Sequence, residues 1–436
     1  MPHLTAPVSL PWIAPTASAP VTATVRLPGS KSMTARALVL GALSLGATTL
    51  RGPLRARDTE LMAAGLRAMG CHVSTSDENL WVLRPRPLRG PARIDVGTAG
   101  TVLRFLPPVA GLADGAVTFD GDERSRTRPV APLIGALRTL GARVDYGAGL
   151  PLTVHGIGRV TGGAATIDAS ASSQMLSGLL LAAPEFDRGL TVRHAGPPLP
   201  RAPHLRMTVQ MLRAAGAGID DSRPDMWVVE PGRLNGRAWD IEPDLLGAAP
   251  FLAAALVTGG TVTVAGWPRS GIQAGHRLLD LLRQMGGSPA VTRQGLVVRG
   301  TGTVRGLTAD LADVAELAPV LAALAAVADS PSHLHGLAHL GAHETDRLAA
   351  LVEGLTGLGA DIAQDHDGLR IRPRPLRGGT FPTRDDHRLA QAAAVVGLAV
   401  GGVRLDDVTC TAKTLPDFPR LWSTMVHGPG SVGGQD

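Results

Sequence analysis

An apolar helical stretch, a Gly or Asp turn and a short strand follow one another six times along this chain, and that repetition constrains its fold more than any other feature. The stretches read ALVLGALSLGATTLRG from Ala37, VLRFLPPVAGLADGAVTFDG from Val102, MLSGLLLAAPEFDRGLTVRHAG from Met175, AAPFLAAALVTGGTVTVAG from Ala248, LAPVLAALAAVADSPSHLHG from Leu317 and LAQAAAVVGLAVGGVRLDD from Leu389. They recur at roughly 65 to 75 residues, longer than the short solenoid periods. Helices apolar on every side must be covered on every side. A second, amphipathic helix supplies cover in five units, read from Leu61, Leu133, Leu205, His276 and Asp346, and each ends in Gly before a strand. Gly just past a helix closes its last turn in the left-handed conformation. Six such units in 436 residues predict an α/β chain of two domains with three units each, because a single core does not grow to this length. The seam is expected between Trp239 and Asp244, with a strand at 21–25 available to either half.

Composition narrows the class. Hydrophobic residues make up 44% and charged residues 18%, a globular balance that excludes a disordered or tail-like chain. With 3% aromatics, the core must be built from Ala, Leu and Val. Two cysteines, Cys71 and Cys410, are too few for a disulfide framework or a Cys-rich zinc site, so a reducing cytoplasm is the expected compartment. The first 20 residues have neither the basic nor the continuous apolar region of a secretory signal. The uncharged run before Arg269 has the length of a membrane span, but Pro250, Gly259-Gly260 and TVTVAG make it a helix, a turn and a strand in a soluble core.

The turns from strand into apolar helix are where chemistry is expected. They read LPGSKSMTAR (27–36), VGTAGTVLR (96–104), IDASASSQ (167–174), DIEPDLL (240–246), LADVAEL (311–317) and RDDHRLA (384–390). A helix N-terminus presents unpaired amides and a partial positive charge, and Gly, Ser and Thr let an oxyanion approach them. Lys31, Arg36, Arg104 and Arg388 stand beside these turns, which points to phosphate or carboxylate ligands. GSKS is not a nucleotide-binding P-loop, since Ser30 stands where that motif needs Gly. His333, His335, His339 and His343 mix strand and helix spacings without a nearby Cys, so a structural metal is not expected. Of 42 basic residues, all but Lys31 and Lys413 are Arg, which leaves 40 arginines and singles out two positions where an ammonium was kept. The net charge of +5 suits anionic small molecules, and no aromatic-rich or RNP-like stretch supports nucleic acid.

LPGSKSMTARAL, GTAGTVLR, GDERSRTRPV, DASASSQ, HETDRL, DDHR and CTAKT occur in this order, and together they resemble the 5-enolpyruvylshikimate-3-phosphate synthase family, in its actinobacterial form, from about Val21 to Trp422. The resemblance implies an inverse α/β architecture, barrel-like, with six βαβαββ units, three per domain. One domain would comprise 1–26 and 242–436 and the other 27–241, with a cleft that closes on ligands. It implies transfer of the enolpyruvyl group of phosphoenolpyruvate to the 5-hydroxyl of shikimate 3-phosphate, with release of phosphate and inhibition by glyphosate. No metal or organic cofactor is implied, nor any nucleic-acid or membrane partner, and a monomer is expected. By resemblance, Lys31, Gly100, Arg124, Gln174, Arg347, Arg388 and Lys413 hold phosphoenolpyruvate. Lys31, Ser32, Arg36, Ser172, Ser173, Gln174, Arg201, Glu316 and His343 hold shikimate 3-phosphate. Lys31, Glu316 and Glu344 are the catalytic group: Glu316 near the acceptor hydroxyl, Glu344 near the methylene carbon and Lys31 as a proton donor on the phosphate side.

Several residues depart from the common family pattern. Glu316 replaces an Asp, Ala35 and Thr98 each replace an Asn, Arg201 replaces a Ser, His204 a Tyr, and His339 and His343 an Asn and a Lys. Most of these changes fall on the acceptor half. The alternative reading is therefore an enolpyruvyl transferase acting on another alcohol. The sister enzyme acting on UDP-N-acetylglucosamine carries a Cys in the loop that reads GDERSRTRPV here, and neither cysteine lies there. A basic nucleic-acid scaffold would account for the charge but not for the two placed lysines.

Overall fold

The structure, a computed structural model, describes residues 11–197, 199, 203–273, 275–338 and 346–428. Two compact units divide it: one spans Pro28–Glu242, and the other combines the residues up to Leu27 with those from Pro243 onward.

In the Pro28–Glu242 unit the helices are α1 (Lys31–Leu43), α2 (Arg57–Ala68), α3 (Gly100–Ala110), the single turn α4 (Glu123–Arg126), α5 (Ala131–Thr139), α6 (Gln174–Ala182) and α7 (Pro203–Ala214). The largely buried α1, α3 and α6 pack on one another, while α2, α5 and α7 cover them. Three four-stranded sheets share one pattern, a parallel pair followed by two antiparallel neighbours. Strand 92–95 runs parallel to 114–120 across the α3 crossover, and 163–167 parallel to 190–194 across the α6 segment. A parallel pair needs such a crossover, which places the buried helix against the sheet. The first repeat departs from this. The place beside strand 48–51 is filled by 238–240, with Trp239 opposite Leu50, so the end of the unit completes its beginning.

The strand that precedes α1 in sequence, Thr22–Val25, belongs to the other unit and pairs in parallel with Thr261–Ala265. That unit carries α8 (Ala249–Thr258), α9 (Gly275–Gln284), α10 (Ala318–Ala326), α11 (Arg347–Gly357), α12 (His387–Ala399) and α13 (Phe418–His427). The apolar α8, α10 and α12 form its center. Two of its sheets repeat the four-stranded pattern, and a third joins 379–381, 403–405 and 12–13. The helix α13 is the sixth covering helix and was not read from the sequence, because Pro416 and Pro419 interrupt the apolar spacing; Pro419 sits in its first turn, where a missing N–H costs nothing. Phe418 and Trp422 on α13 pack edgewise on Phe251 of α8 at 6.0 and 5.4 Å, each fully buried aromatic contributing about 1.5–3 kcal/mol.

The glycine that ends each covering helix adopts the left-handed backbone, as at Gly70 (φ +97°) after α2 and Gly359 (φ +96°) after α11. At Gly29, before α1, a Cβ would stand 2.1 Å from the carbonyl oxygen of Gly52, so only Gly allows the chain to pass there. Among the described residues, no helix is long and apolar enough to cross a membrane.

Candidate active site

In the Pro28–Glu242 unit, Ser30 caps α1: its Oγ accepts from the Met33 amide at 3.4 Å while its own amide donates to Glu242 O at 2.7 Å. This makes Lys31 the first residue of the helix. Its Nζ donates to Asp58 Oδ2 at 3.0 Å. The Asp58 side chain is 3% exposed and that of Lys31 20%, and among the described residues the second oxygen of Asp58 has no hydrogen-bond partner. A buried carboxylate with an unsatisfied oxygen is costly unless a cation stays beside it, so Asp58 fixes the ammonium in place. The start of α2 is itself anchored to α1, because Leu54 N donates to Thr34 Oγ1 at 3.0 Å and Thr59 Oγ1 donates to Leu54 O at 2.8 Å.

At the start of α3, two guanidiniums and an amide converge on Gly100. Arg104 Nη1 donates to Gln174 Oε1 at 3.1 Å, and Arg128 Nη1 to Thr98 O at 2.7 Å. A Cβ on Gly100 would lie 2.6 Å from Arg104 Nη1 and 3.3 Å from both Arg128 Nη1 and Gln174 Oε1. The α3 amides add the positive end of the helix dipole. Gln174 opens α6 directly after Ser172 and Ser173, and all three are half-buried. An amide-lined, doubly cationic corner of this kind suits a phosphate or carboxylate.

Arg36 lies deeper than its motif suggests. It is 1% exposed and lies over the Phe105 ring at 5.2 Å. Its Nε donates to Thr208 Oγ1 at 2.7 Å, Nη1 to Ser32 O at 2.9 Å, and Nη2 to His204 O at 2.9 Å and Ser177 Oγ at 3.3 Å. Burial lowers its pKa to about 9. Among the described residues, four bonds of the five available tie α1, α6 and α7 together and leave one Nη1 N–H on the Ser32 side.

The second unit has its own cationic turn. Arg384 and Asp385 both take positive φ, +53° and +58°, an uncommon conformation for these residues. This bend delivers Asp386, fully buried, to the N-cap of α12. Asp386 Oδ2 accepts from Arg347 Nε at 2.8 Å and Nη2 at 2.7 Å, and its Oδ1 from the Arg388 amide at 2.8 Å. Arg347 therefore turns its Nε–Nη2 edge to Asp386. Arg388 and Glu316 are half-buried at the starts of α12 and α10, and Lys413 closes a 3-10 turn at 409–413. His333, one of the clustered histidines, pairs with Asp365 at 3.1 Å.

Within Pro28–Glu242 the structure thus brings Gly100 and Gln174 together with Arg104 and pairs Lys31 with Asp58; in the other unit it places Arg347 and Arg388 on one acid. Arg124 is on the exposed α4 turn, and Arg128 is the arginine of that loop placed at Gly100. Arg201, His343 and Glu344, with His339, lie outside the described residues. Sequence reasoning missed Asp58, Arg128 and Asp386. Asp58 is acidic in the first turn of a covering helix, which reads as an ordinary dipole partner. The Arg before Pro129 was a usable signal for Arg128, and the doubled Asp of RDDHR for Asp386.

A profile of the EPSP synthase (3-phosphoshikimate 1-carboxyvinyltransferase) family matches residues 15–422. The 3-phosphoshikimate 1-carboxyvinyltransferase of Mycobacterium ulcerans is 53% identical over 427 residues, 96% of this chain and 98% of that protein. A solved EPSP synthase from Acinetobacter baumannii superposes with a TM-score of 0.79 at 25% identity, covering 94% of this chain and 96% of the other. A second structure of EPSP synthase from that organism gives 0.77 at 24% identity, a likeness of fold.

Proposed function

The chain belongs to the EPSP synthase, or 3-phosphoshikimate 1-carboxyvinyltransferase, family, and from that premise we propose that it transfers the enolpyruvyl group of phosphoenolpyruvate to the 5-hydroxyl of shikimate 3-phosphate. The observation that supports the donor half is the corner at Gly100, where Arg104, Arg128 and Gln174 converge. Both substrates are multiply anionic, and holding them together in reacting geometry removes much of the entropic barrier.

In this reading Lys31 and Arg128 take the phosphate of phosphoenolpyruvate, with Arg124 a further cation of the same loop. Gln174 and the α3 amides stand beside it. Arg347, Arg388 and Lys413 take its carboxylate. Ser32, Ser172, Ser173 and Gln174 bind shikimate 3-phosphate together with Arg201 and His343, and Arg36 contributes its remaining N–H while fixing the Ser32 carbonyl. The acceptor oxygen bonds to the substituted alkene carbon as its proton passes to Glu316, and the methylene carbon gains a proton from Glu344. The tetrahedral adduct then loses phosphate, protonated from Lys31, and the proton gained at carbon returns to base, restoring the double bond. Positive charge preplaced around the departing phosphate is worth most if water is excluded.

The reading extends to inhibition by glyphosate and to action as a cytoplasmic monomer. Its test is phosphate release from phosphoenolpyruvate that depends on shikimate 3-phosphate. Turnover with another alcohol and none with shikimate 3-phosphate would overturn the acceptor assignment.

A further inference from the structure

The first turn of α2 holds one cation of the proposed phosphate site directly and reaches the loop that carries the other. Asp58 holds Lys31, and its neighbour Arg57 reaches the loop that carries Arg128. Arg57 forms a two-point pair with Asp122: Nη1 lies 2.9 Å from Oδ2, and Nη2 donates to Oδ1 at 3.1 Å. The loop is fastened at the same place, since Asp122 N donates to Gly97 O at 3.2 Å and Ser125 Oγ to the same carbonyl at 2.6 Å. The chain of contacts continues with Arg128 N donating to Ser125 O at 3.3 Å and ends with the Arg128 guanidinium on Thr98 O. Gly97 has φ +48°, and a Cβ there would meet Arg57 Nη2 at 3.1 Å and Leu61 Cδ1 at 2.7 Å, so Gly leaves the room that Arg57 occupies.

The charge environment agrees with the geometry. The hydrogen bond that Arg57 donates to Asp122 is the largest influence raising the Arg57 pKa, and the fields of Asp122, Asp95 and Asp58 add to it. Three carboxylates on the border of an anion site would repel the ligand if nothing offset them.

We propose that Arg57 and Asp122 are positioning residues for enolpyruvyl transfer: their ion pair sets the loop so that Arg128 stands at Gly100, and Arg57 offsets the carboxylates beside the phosphate-bearing substrate. The inference rests on the assignment of Gly100 and Arg128 to phosphoenolpyruvate. Both side chains are about half exposed, 55% and 40%, and pairs so exposed add little to stability. Their effect is on placement.

The experiment uses the full chain carrying Arg57→Ala, Arg57→Lys, Asp122→Ala or the Arg57→Ala/Asp122→Ala double substitution. The KM for phosphoenolpyruvate should rise about fivefold in Arg57→Ala, less in Arg57→Lys, and no further in the double variant than in Arg57→Ala. The KM for shikimate 3-phosphate, kcat and Tm should stay at parental values, and hydrogen exchange at 121–128 should quicken in Arg57→Ala. An unchanged phosphoenolpyruvate KM, additive single effects, or a joint fall of Tm, kcat and affinity for both substrates would overturn the inference. If the parent chain shows no shikimate 3-phosphate-dependent turnover, the functional reading fails, and the exchange of 121–128 still decides the positioning claim: faster exchange supports it, and unchanged exchange refutes it.

Discussion

Replacing Gly100 by Ala tests whether the Arg104–Arg128–Gln174 corner is the donor pocket. The new Cβ would lie 2.6 Å from Arg104 Nη1 and must be cleared to at least 3.4 Å, a retreat of about 0.8 Å. The Arg104–Gln174 bond, now 3.1 Å, does not survive such a shift. A hydrogen bond from a charged donor is worth about 1.5–3 kcal/mol, or about 10- to 100-fold in affinity. Arg128 Nη1 and Gln174 Oε1, at 3.3 Å from the same Cβ, need to give only a few tenths of an ångström. The expected outcome is a phosphoenolpyruvate KM raised about 10- to 100-fold, an unchanged shikimate 3-phosphate KM, and inhibition by glyphosate weakened in parallel. Phosphate release measured against each substrate in turn reads all three. Unchanged KM for phosphoenolpyruvate and unchanged glyphosate inhibition would show that the corner does not bind the donor.

Lys31→Arg keeps the charge beside Asp58 but cannot readily give up a proton, so kcat should fall about 100-fold or more; near-normal turnover would refute the donor role. Asp386→Ala removes the α12 cap and leaves the buried Arg347 guanidinium without its acid, and denaturant unfolding should show a loss of about 3–5 kcal/mol. Asp365, bonded first to the Asp367 amide and then to Arg370, is held down from 3.8 to about 2. A carboxylate depressed by folding stabilises above its unfolded pKa and loses that contribution as pH falls through the folded one. The Tm difference between the parent and Asp365→Asn should therefore be full above pH 3.8 and vanish toward about pH 2; a difference independent of pH would rule out that account.

Much of the architecture was legible in the chain itself. Helices such as AAPFLAAALVT have no polar face, so burial on all sides was dictated by composition alone, and the Gly after each covering helix marked its end by backbone geometry. The helix starts were legible too: Ser30, Lys31 and Gly100 open α1 and α3, where unpaired amides suit an anion. Local periodicity carries no information about which distant strand fills a place in a sheet. The pairing of 238–240 with 48–51, and of 22–25 with 261–265, joins segments about 190 and 240 residues apart, and only packing decides it. The same holds for partners of charge. The sequence determined that Lys31, Arg347 and Arg388 are cationic and near helix starts. The tertiary structure decided that Asp58 holds the first, that Asp386 holds the side chain of the second and the amide of the third, that Arg128 stands at Gly100, and that most of Arg36 is committed to the protein interior. A charge is a property of a residue, whereas its reach, burial and counterion are properties of the surfaces folded around it.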